Sequence, residues 1–214
     1  RFKQDPVRLL RLIKFQARYD FKIEPSTAAA IPSCREEITK SSPARILEEI
    51  FRMLESGAAA PFFRLLAEHK FLSILFPRLM EALHTPPGKK VFHYLACADQ
   101  LYQHKGKNVL DRAILTSCLI FPLLEEELQY QFLNHNHTPH IGEITLTASS
   151  LIKELLIQAF THFPRRISST MVSILVAQYR ITPLSGKRHY REKLLRHKDF
   201  DLALKFLKLR ALVD

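Results

Sequence analysis

Tryptophan is absent from the 214-residue sequence, and glycine is scarce, with five residues against twelve prolines. Tight hairpin turns favour Asn-Gly or Asp-Gly pairs, and neither pair occurs in the sequence. Helices that are separated by prolines fit this composition better than strands joined by tight turns. We therefore predict an all-α fold, an irregular multi-helix bundle, and we find no repeat of fixed period.

Long apolar runs are also missing, since stretches such as Ala113–Leu124 are shorter than the roughly 20 residues that a membrane helix needs. No basic segment followed by an apolar segment indicates a secretory signal. Cys34, Cys97 and Cys118 are odd in number and widely spaced, as buried free thiols are in a reducing compartment. We expect a cytoplasmic protein with no membrane partner. Because the sequence begins with Arg1 rather than methionine, we expect a fragment.

Motifs for catalysis or metal binding are not convincing. Residues 199–201 (Asp-Phe-Asp) have the spacing of a magnesium site, but they precede an amphipathic helix, so helix capping is favoured. His135, His137 and His140 have no cysteine or carboxylate within their loop to complete a zinc site. The glycines form neither a P-loop nor a dinucleotide-binding turn. We predict no catalytic residue and no metal site in this chain.

Positive charge is what the sequence has in excess. The formal net charge of +11 attracts polyanions through phosphate contacts and counterion release. Basic residues crowd the first 18 positions and the stretch from Arg165 to Arg210, whereas Glu125–Glu127 mark an acidic middle. This distribution predicts a nucleic-acid or other anionic partner. For any single lysine or arginine, a solvated helix face is an equally good explanation.

Residues 4–11, QDPVRLLR, combine a helix start with paired charges. Asp5 followed by Pro6 is typical of a helix N-terminus. Asp5 and Arg8 are three residues apart and therefore share one side of the helix. Side by side, the two side chains are complementary to the hydrogen-bonding edge of adenine. Asp5 accepts a hydrogen bond from the amino group, and Arg8 donates one to a ring nitrogen. Spacing alone favours the alternative, in which Asp5 caps its helix and pairs with Arg8.

Helical periodicity and turn signals divide the chain into segments. Ser42 and Pro43 open a helix that stops near Gly57, and the polar loop Asn134–Gly142 is the best boundary within the remaining helices. A break between helices is also predicted at Pro122, since proline is unfavourable inside a helix. We predict three segments, which comprise residues 1–57, 58–140 and 141–214.

Three stretches of sequence are similar to one protein family. RFKQDPVRLLRLIKFQARYDFKIEPSTAAAIP resembles the segment RF-x-E-D-P-x-R-L-L-R-A-x-R-F-A of class II nucleotidyltransferases, the bacterial poly(A) polymerases and CCA-adding enzymes. SSPARILEEIFRMLESG and FLSILFP resemble its continuation, so the likeness covers the first 77 residues. PRRISSTM followed by GKRHYREKLLRHKDFDLALKFLKLRA is similar to the distal part of the poly(A) polymerases rather than of the CCA-adding enzymes.

The resemblance implies roles for individual residues. It makes residues 1–57 a neck with base-reading helices, 58–140 a helical body and 141–214 a basic tail. Asp5 and Arg8 inherit adenine binding, and Arg11 is expected near the nucleotide phosphates or the primer. Gln4 replaces the glutamate of the family, so its bond to Arg8 lacks the charge that strengthens such bonds. The residues expected to hold RNA phosphates are Arg165, Arg166, Lys187, Arg188 and Arg191.

No part of the sequence resembles the catalytic head of that family, which carries the magnesium carboxylates. The resemblance thus implies the C-terminal region of a polynucleotide adenylyltransferase, which transfers AMP from ATP to an RNA 3′ end with Mg²⁺. The chain alone is expected to be inactive. Two alternatives remain open: a CCA-adding tRNA nucleotidyltransferase, and a non-enzymatic helical module that binds RNA or protein.

Overall fold

A computed structural model of the chain describes residues 2–105, 110–184 and 192–213. Within these residues the regular structure is helical throughout, with no β-strand, which confirms the predicted all-α bundle. In chain order the helices are α1 (Val7–Tyr19), α2 (Pro25–Cys34), a 3-10 helix (Arg35–Lys40), α3 (Pro43–Leu54), α4 (Ala59–Glu68), α5 (Leu72–Leu75), α6 (Pro77–Ala82), α7 (Pro86–Lys105), α8 (Arg112–Gln131), a 3-10 helix (Leu133–His135), α9 (Ile141–Ile152) with a π-helical continuation (Lys153–Ile157), α10 (Arg165–Ile181), α11 (Glu192–Leu195) and α12 (Phe200–Val213). None of the helices described is long and apolar enough to cross a membrane.

One continuous hydrophobic core extends from Val7 in α1 to Leu209 in α12. Its aromatic centre joins α7, α8 and α12, where the ring centroids of Tyr94, Phe121 and Phe206 lie 5.3 to 6.0 Å apart. Helix α10 packs on α8, α9 and α12, while α1 packs on α3 and α4. The three predicted segments therefore share this core, and their boundaries at residues 57 and 140 stay a prediction.

Pro122 lies inside α8 rather than between two helices, so the predicted break is wrong. The twelve side chains from Ala113 to Leu124 are all buried, and neighbouring helices enclose this part of α8. A proline in a helix interior costs about 3 kcal/mol, but burial of each large apolar side chain returns roughly 1.5 to 3 kcal/mol. Packing of the surrounding helices thus outweighs the local preference of one residue.

Gly57 lies just after α3 and has a left-handed backbone conformation, which glycine adopts more easily than other residues. Its φ is +73°, and a Cβ atom at this position would collide with the ring of Tyr102. We expect Gly57→Ala to lower the free energy of unfolding by about 2 kcal/mol, from left-handed strain plus displacement of the ring. Urea denaturation measures the change.

The matched control is Gly142→Ala in the first turn of α9. There φ is negative, and the atom that a Cβ would meet at 2.9 Å belongs to the exposed side chain of His140, which can move. Displacement of His140 weakens the cap of α9 at a cost of about 1 kcal/mol, and the higher helix propensity of alanine over glycine returns about the same amount, so this variant should stay close to the stability of the parent chain. If the two variants unfold at the same urea concentration, the proposed strain at Gly57 is contradicted.

Candidate nucleotide- and RNA-binding surfaces

Asp5 lies two residues before α1 and accepts hydrogen bonds from two arginines. The Nε atom of Arg8 lies 3.4 Å from Oδ2 of Asp5, and Nη2 of Arg45 lies 3.0 Å from Oδ1. The side chain of Asp5 does not cap α1, whose cap position is taken by Pro6 without a side-chain bond. Arg45 belongs to α3, and local pattern analysis missed it because it is 40 residues away.

The Asp5–Arg8 pair is accessible to a ligand. The side chains of Arg8 and Arg45 are 52% and 53% exposed, and that of Asp5 is 23% exposed. An ion pair this exposed contributes little free energy, so a ligand displaces it at small cost. Gln4 is exposed beside the pair, but no hydrogen bond between Gln4 and Arg8 occurs in the described structure. Arg8 is instead oriented by Asp5.

Arg11 and Lys14 both bind the buried carboxylate of Glu49 on α3. The nitrogen–oxygen distances are 2.9 Å for Arg11 and 2.8 Å for Lys14, and the Glu49 side chain is 5% exposed. Burial acts to raise the pKa of Glu49, but hydrogen bonds and charge from Lys14 and Arg11 outweigh it and hold the pKa below its ordinary value. Arg11 therefore anchors α1 to α3, and its predicted contact with phosphates stays a prediction.

Arg165 and Arg166 are the first two residues of α10 and are exposed. Neither forms an ion pair within the described residues. Cations oppose the helix dipole at this end, so helix stability does not explain their position. Free amide groups and the dipole attract phosphate there. Phe163, just before α10, packs on Phe51 of α3 with ring centroids 6.0 Å apart, which holds this helix end against α3.

The remaining predicted RNA contacts, Lys187, Arg188 and Arg191, lie outside the described residues, so their role stays a prediction. In the loop that precedes α9, Nδ1 of His140 accepts the N–H of Glu143, and the Glu143 carboxylate accepts the N–H of His140. This capping box orders the loop. The portion of the chain that the structure describes contains no group of three metal-ligating side chains.

Acidic residues of the middle segment form ion pairs within the molecule. Glu125 contacts Lys90 at 2.9 Å and Arg210 at 3.5 Å, while Glu127 contacts Arg78 at 3.0 Å. These carboxylates join α8 to α6, α7 and α12. They therefore do not act as an open acidic surface that would repel a polyanion.

Comparison with known proteins identifies the class of this helical structure. Residues 20–83 match the family model "Probable RNA and SrmB- binding site of polymerase A", and residues 146–214 match "Polymerase A arginine-rich C-terminus". Together the two models cover more than half of the chain. The bundle thus corresponds to the C-terminal part of a polymerase A type protein. The chain belongs to the bacterial poly(A) polymerase family, as its sequence predicted.

Individual relatives agree with this assignment. Poly(A) polymerase I of Escherichia coli O157:H7 is 26% identical over the whole chain, which corresponds to 45% of that protein. Its Haemophilus influenzae counterpart is 33% identical over 37% of this chain and 18% of its own length. The multifunctional CCA protein of Alkalilimnicola ehrlichii is 35% identical over 43% of this chain and 23% of its own. The chain spans a little under half of the relatives that match it throughout.

Proposed function

We propose that the chain forms the neck, body and tail of a polynucleotide adenylyltransferase that adds AMP from ATP to RNA 3′ ends. The observation that carries the proposal is the accessible Asp5–Arg8 pair at the start of α1, held in place by Arg45. The family matches to an RNA-binding region and an arginine-rich tail support the same assignment.

In this proposal, the pair selects the incoming base by hydrogen-bond complementarity. The Asp5 carboxylate accepts from the amino group of adenine, and the Arg8 guanidinium donates to an adjacent ring nitrogen. Guanine presents a carbonyl oxygen where adenine has the amino group, so it would face the carboxylate with a second acceptor. Arg45 keeps Asp5 in position through its other oxygen. Adenine is therefore favoured over guanine.

The chemical step is assigned to a part of the complete protein beyond these 214 residues. The described residues contain no cluster that fits Mg²⁺, whereas the E. coli relative that matches throughout is about twice as long as this chain. We therefore assign the Mg²⁺ carboxylates to that other part, and we expect the chain alone to be inactive. Cys34 and Cys118 are buried free thiols, which supports a cytoplasmic location.

The tail is assigned to RNA phosphates, which gives a prediction for Arg165 and Arg166. The double variant Arg165→Gln/Arg166→Gln should bind oligoadenylate more weakly. The slope of log affinity against log salt concentration should fall by about 0.7 for each phosphate contact that is lost. Fluorescence anisotropy with a labelled decamer, over a series of salt concentrations, measures both quantities. Because phosphate contacts carry no base information, the affinity for oligouridylate should fall by the same factor as that for oligoadenylate.

Lys89→Gln is the matched control, because Lys89 is an exposed cation in the first turn of α7, within the helical body. It should leave the affinity and the salt slope unchanged. A double tail variant with the parent salt slope would remove Arg165 and Arg166 from the phosphate contacts.

A CCA-adding tRNA nucleotidyltransferase is the second candidate, and the match to the multifunctional CCA protein favours it. The two candidates differ in the nucleotides that the complete protein uses. Incorporation of ATP alone indicates a poly(A) polymerase, whereas incorporation of both CTP and ATP at a tRNA 3′ end indicates the CCA-adding enzyme.

A further inference from the structure

Three aromatic side chains are exposed together at the C-terminal end of α1. Phe15, Tyr19 and Phe21 are 48%, 48% and 61% exposed. The ring centroids of Phe15 and Tyr19 are 6.2 Å apart with planes inclined by 19°, and those of Tyr19 and Phe21 are 5.3 Å apart with planes inclined by 27°. We call these three residues the aromatic row.

The geometry of the row leaves part of each ring uncovered. Near-parallel rings in full overlap lie about 3.5 to 4 Å apart, so centroid distances above 5 Å mean that each ring is shifted sideways. Asp20 contributes to this arrangement because its left-handed φ of 53° ends α1. Phe21 follows Asp20 directly, and its ring lies against that of Tyr19. Successive rings are therefore near-parallel but offset, and each one is only partly covered by its neighbour.

The aromatic row continues the helix face that carries Arg8. Phe15 and Tyr19 follow Arg8 by seven and eleven residues, which correspond to about two and three turns of an α-helix. The buried residues Val7 and Ile13 lie on the other side of α1. Arg8, Phe15 and Tyr19 thus lie along one face of α1, over roughly 16 Å at 1.5 Å per residue.

Cations accompany the rings. The Arg18 guanidinium lies 5.1 Å from the Tyr19 ring centroid, and Nζ of Lys14 lies 5.7 Å from that of Phe15. Arg18 and Lys22 are exposed and form no ion pair within the described residues. The centres of protein interfaces are poor in charged residues, especially lysine, whereas single-stranded nucleic-acid sites combine aromatic rings with lysine and arginine. This composition favours RNA over a protein partner.

We propose that the aromatic row is a stacking platform for the bases of single-stranded RNA, and that Arg18 and Lys22 contact its phosphates. The platform directs the strand along α1 toward the nucleotide at Arg8. Because every base has a π face, it accepts RNA 3′ ends of any sequence. This inference rests on the proposed function and assigns the RNA strand to a definite surface of the neck.

The test compares two decamers of equal charge, oligoadenylate and an abasic ribose-phosphate chain. In the 214-residue chain, Phe15→Leu/Tyr19→Leu keeps apolar side chains but removes the rings. We expect about tenfold or greater weakening of oligoadenylate binding, since one base stack on a ring accounts for roughly 5- to 150-fold. Affinity for the abasic chain and the salt slope should not change. Tyr130→Leu is the matched control, because Tyr130 is 70% exposed but lies on α8.

A second measurement separates stacking from general loss of structure. A 2-aminopurine base in the oligomer should lose fluorescence on binding to the parent chain and to Tyr19→Phe, which keeps the ring, but not on binding to the double leucine variant. Unchanged oligoadenylate binding by that variant, or equal weakening of both decamers, would overturn the stacking proposal. If the parent chain binds neither decamer, the proposed RNA-binding function fails as well.

Discussion

Arg8→Ala in the complete enzyme is expected to lower kcat/KM for ATP by roughly 10- to 150-fold, while the affinity for oligoadenylate stays within about twofold. The magnitude follows from the loss of one charge-assisted hydrogen bond, about 1.5 to 3 kcal/mol. The guanidinium is exposed and bound only weakly to Asp5, so its removal leaves the helix intact. Steady-state kinetics with ATP and with GTP measure the loss of adenine preference.

Arg35→Ala is the control for this experiment. Arg35 is a partly exposed arginine of the 3-10 helix that follows α2, and it pairs with Glu36 rather than with a group near the proposed base. Its removal should leave the ratio of ATP to GTP incorporation unchanged. If Arg8→Ala retains the parent ratio, Arg8 does not select the base, and the adenine reader proposed for the neck is wrong.

Asp99→Ala is expected to be strongly destabilising, with a loss of about 3 kcal/mol in the free energy of unfolding. The buried Asp99 carboxylate of α7 accepts the N–H groups of Ala59 and Ala60 at 2.8 and 2.9 Å. Alanine would leave both N–H groups of the first turn of α4 buried without a partner, at roughly 1 to 3 kcal/mol each. For a chain of this size the melting temperature should fall by roughly 10 °C. Calorimetry measures both effects.

The pH dependence of stability gives an independent check on Asp99. Burial raises its pKa to about 6, although hydrogen bonds from Ala60 and Ala59 and the charge of Arg64 act in the opposite direction. The folded chain therefore holds a proton that the unfolded chain releases near pH 4. The resulting stabilisation is complete below about pH 4 and is lost as the pH rises through about 6.

Asp99→Asn isolates this contribution, because asparagine does not titrate and one amide oxygen still accepts from α4. As the pH rises from about 4 to about 6, the unfolding free energy of the parent should fall relative to that of Asp99→Asn. A difference that stays constant over this interval would show that Asp99 does not titrate there.

Local patterns predicted features that local forces decide. The sequence predicted an amphipathic helix after the Asp-Phe-Asp stretch, and α12 begins within that stretch, at Phe200. The spacing of Asp5 and Arg8 likewise predicted that they share a side of α1, and the structure pairs them. Such features depend on residues within about one helical turn of each other, so the sequence alone contains the necessary information.

Contacts between distant residues were not predictable in the same way. Arg45 reaches Asp5, and Glu49 reaches Arg11, only because α1 and α3 pack together. No periodicity indicates which of the chain's many charged residues meet across two helices. The aromatic row escaped notice for a related reason, since Phe15, Tyr19 and Phe21 resemble core residues until their exposure is known.

Helix α3 contacts both of the basic surfaces described above. Glu49 binds Arg11 of the neck on one side, while Phe51 packs on Phe163 beside the tail arginines on the other. Through these two contacts, α3 keeps the neck and the tail at a constant separation. Under the proposed function, a strand long enough to reach both surfaces should gain avidity, since its second contact forms at high effective concentration. We expect a strand that reaches only one of them to dissociate faster, so the geometry of α3 would set a minimum length for RNA that is bound by both.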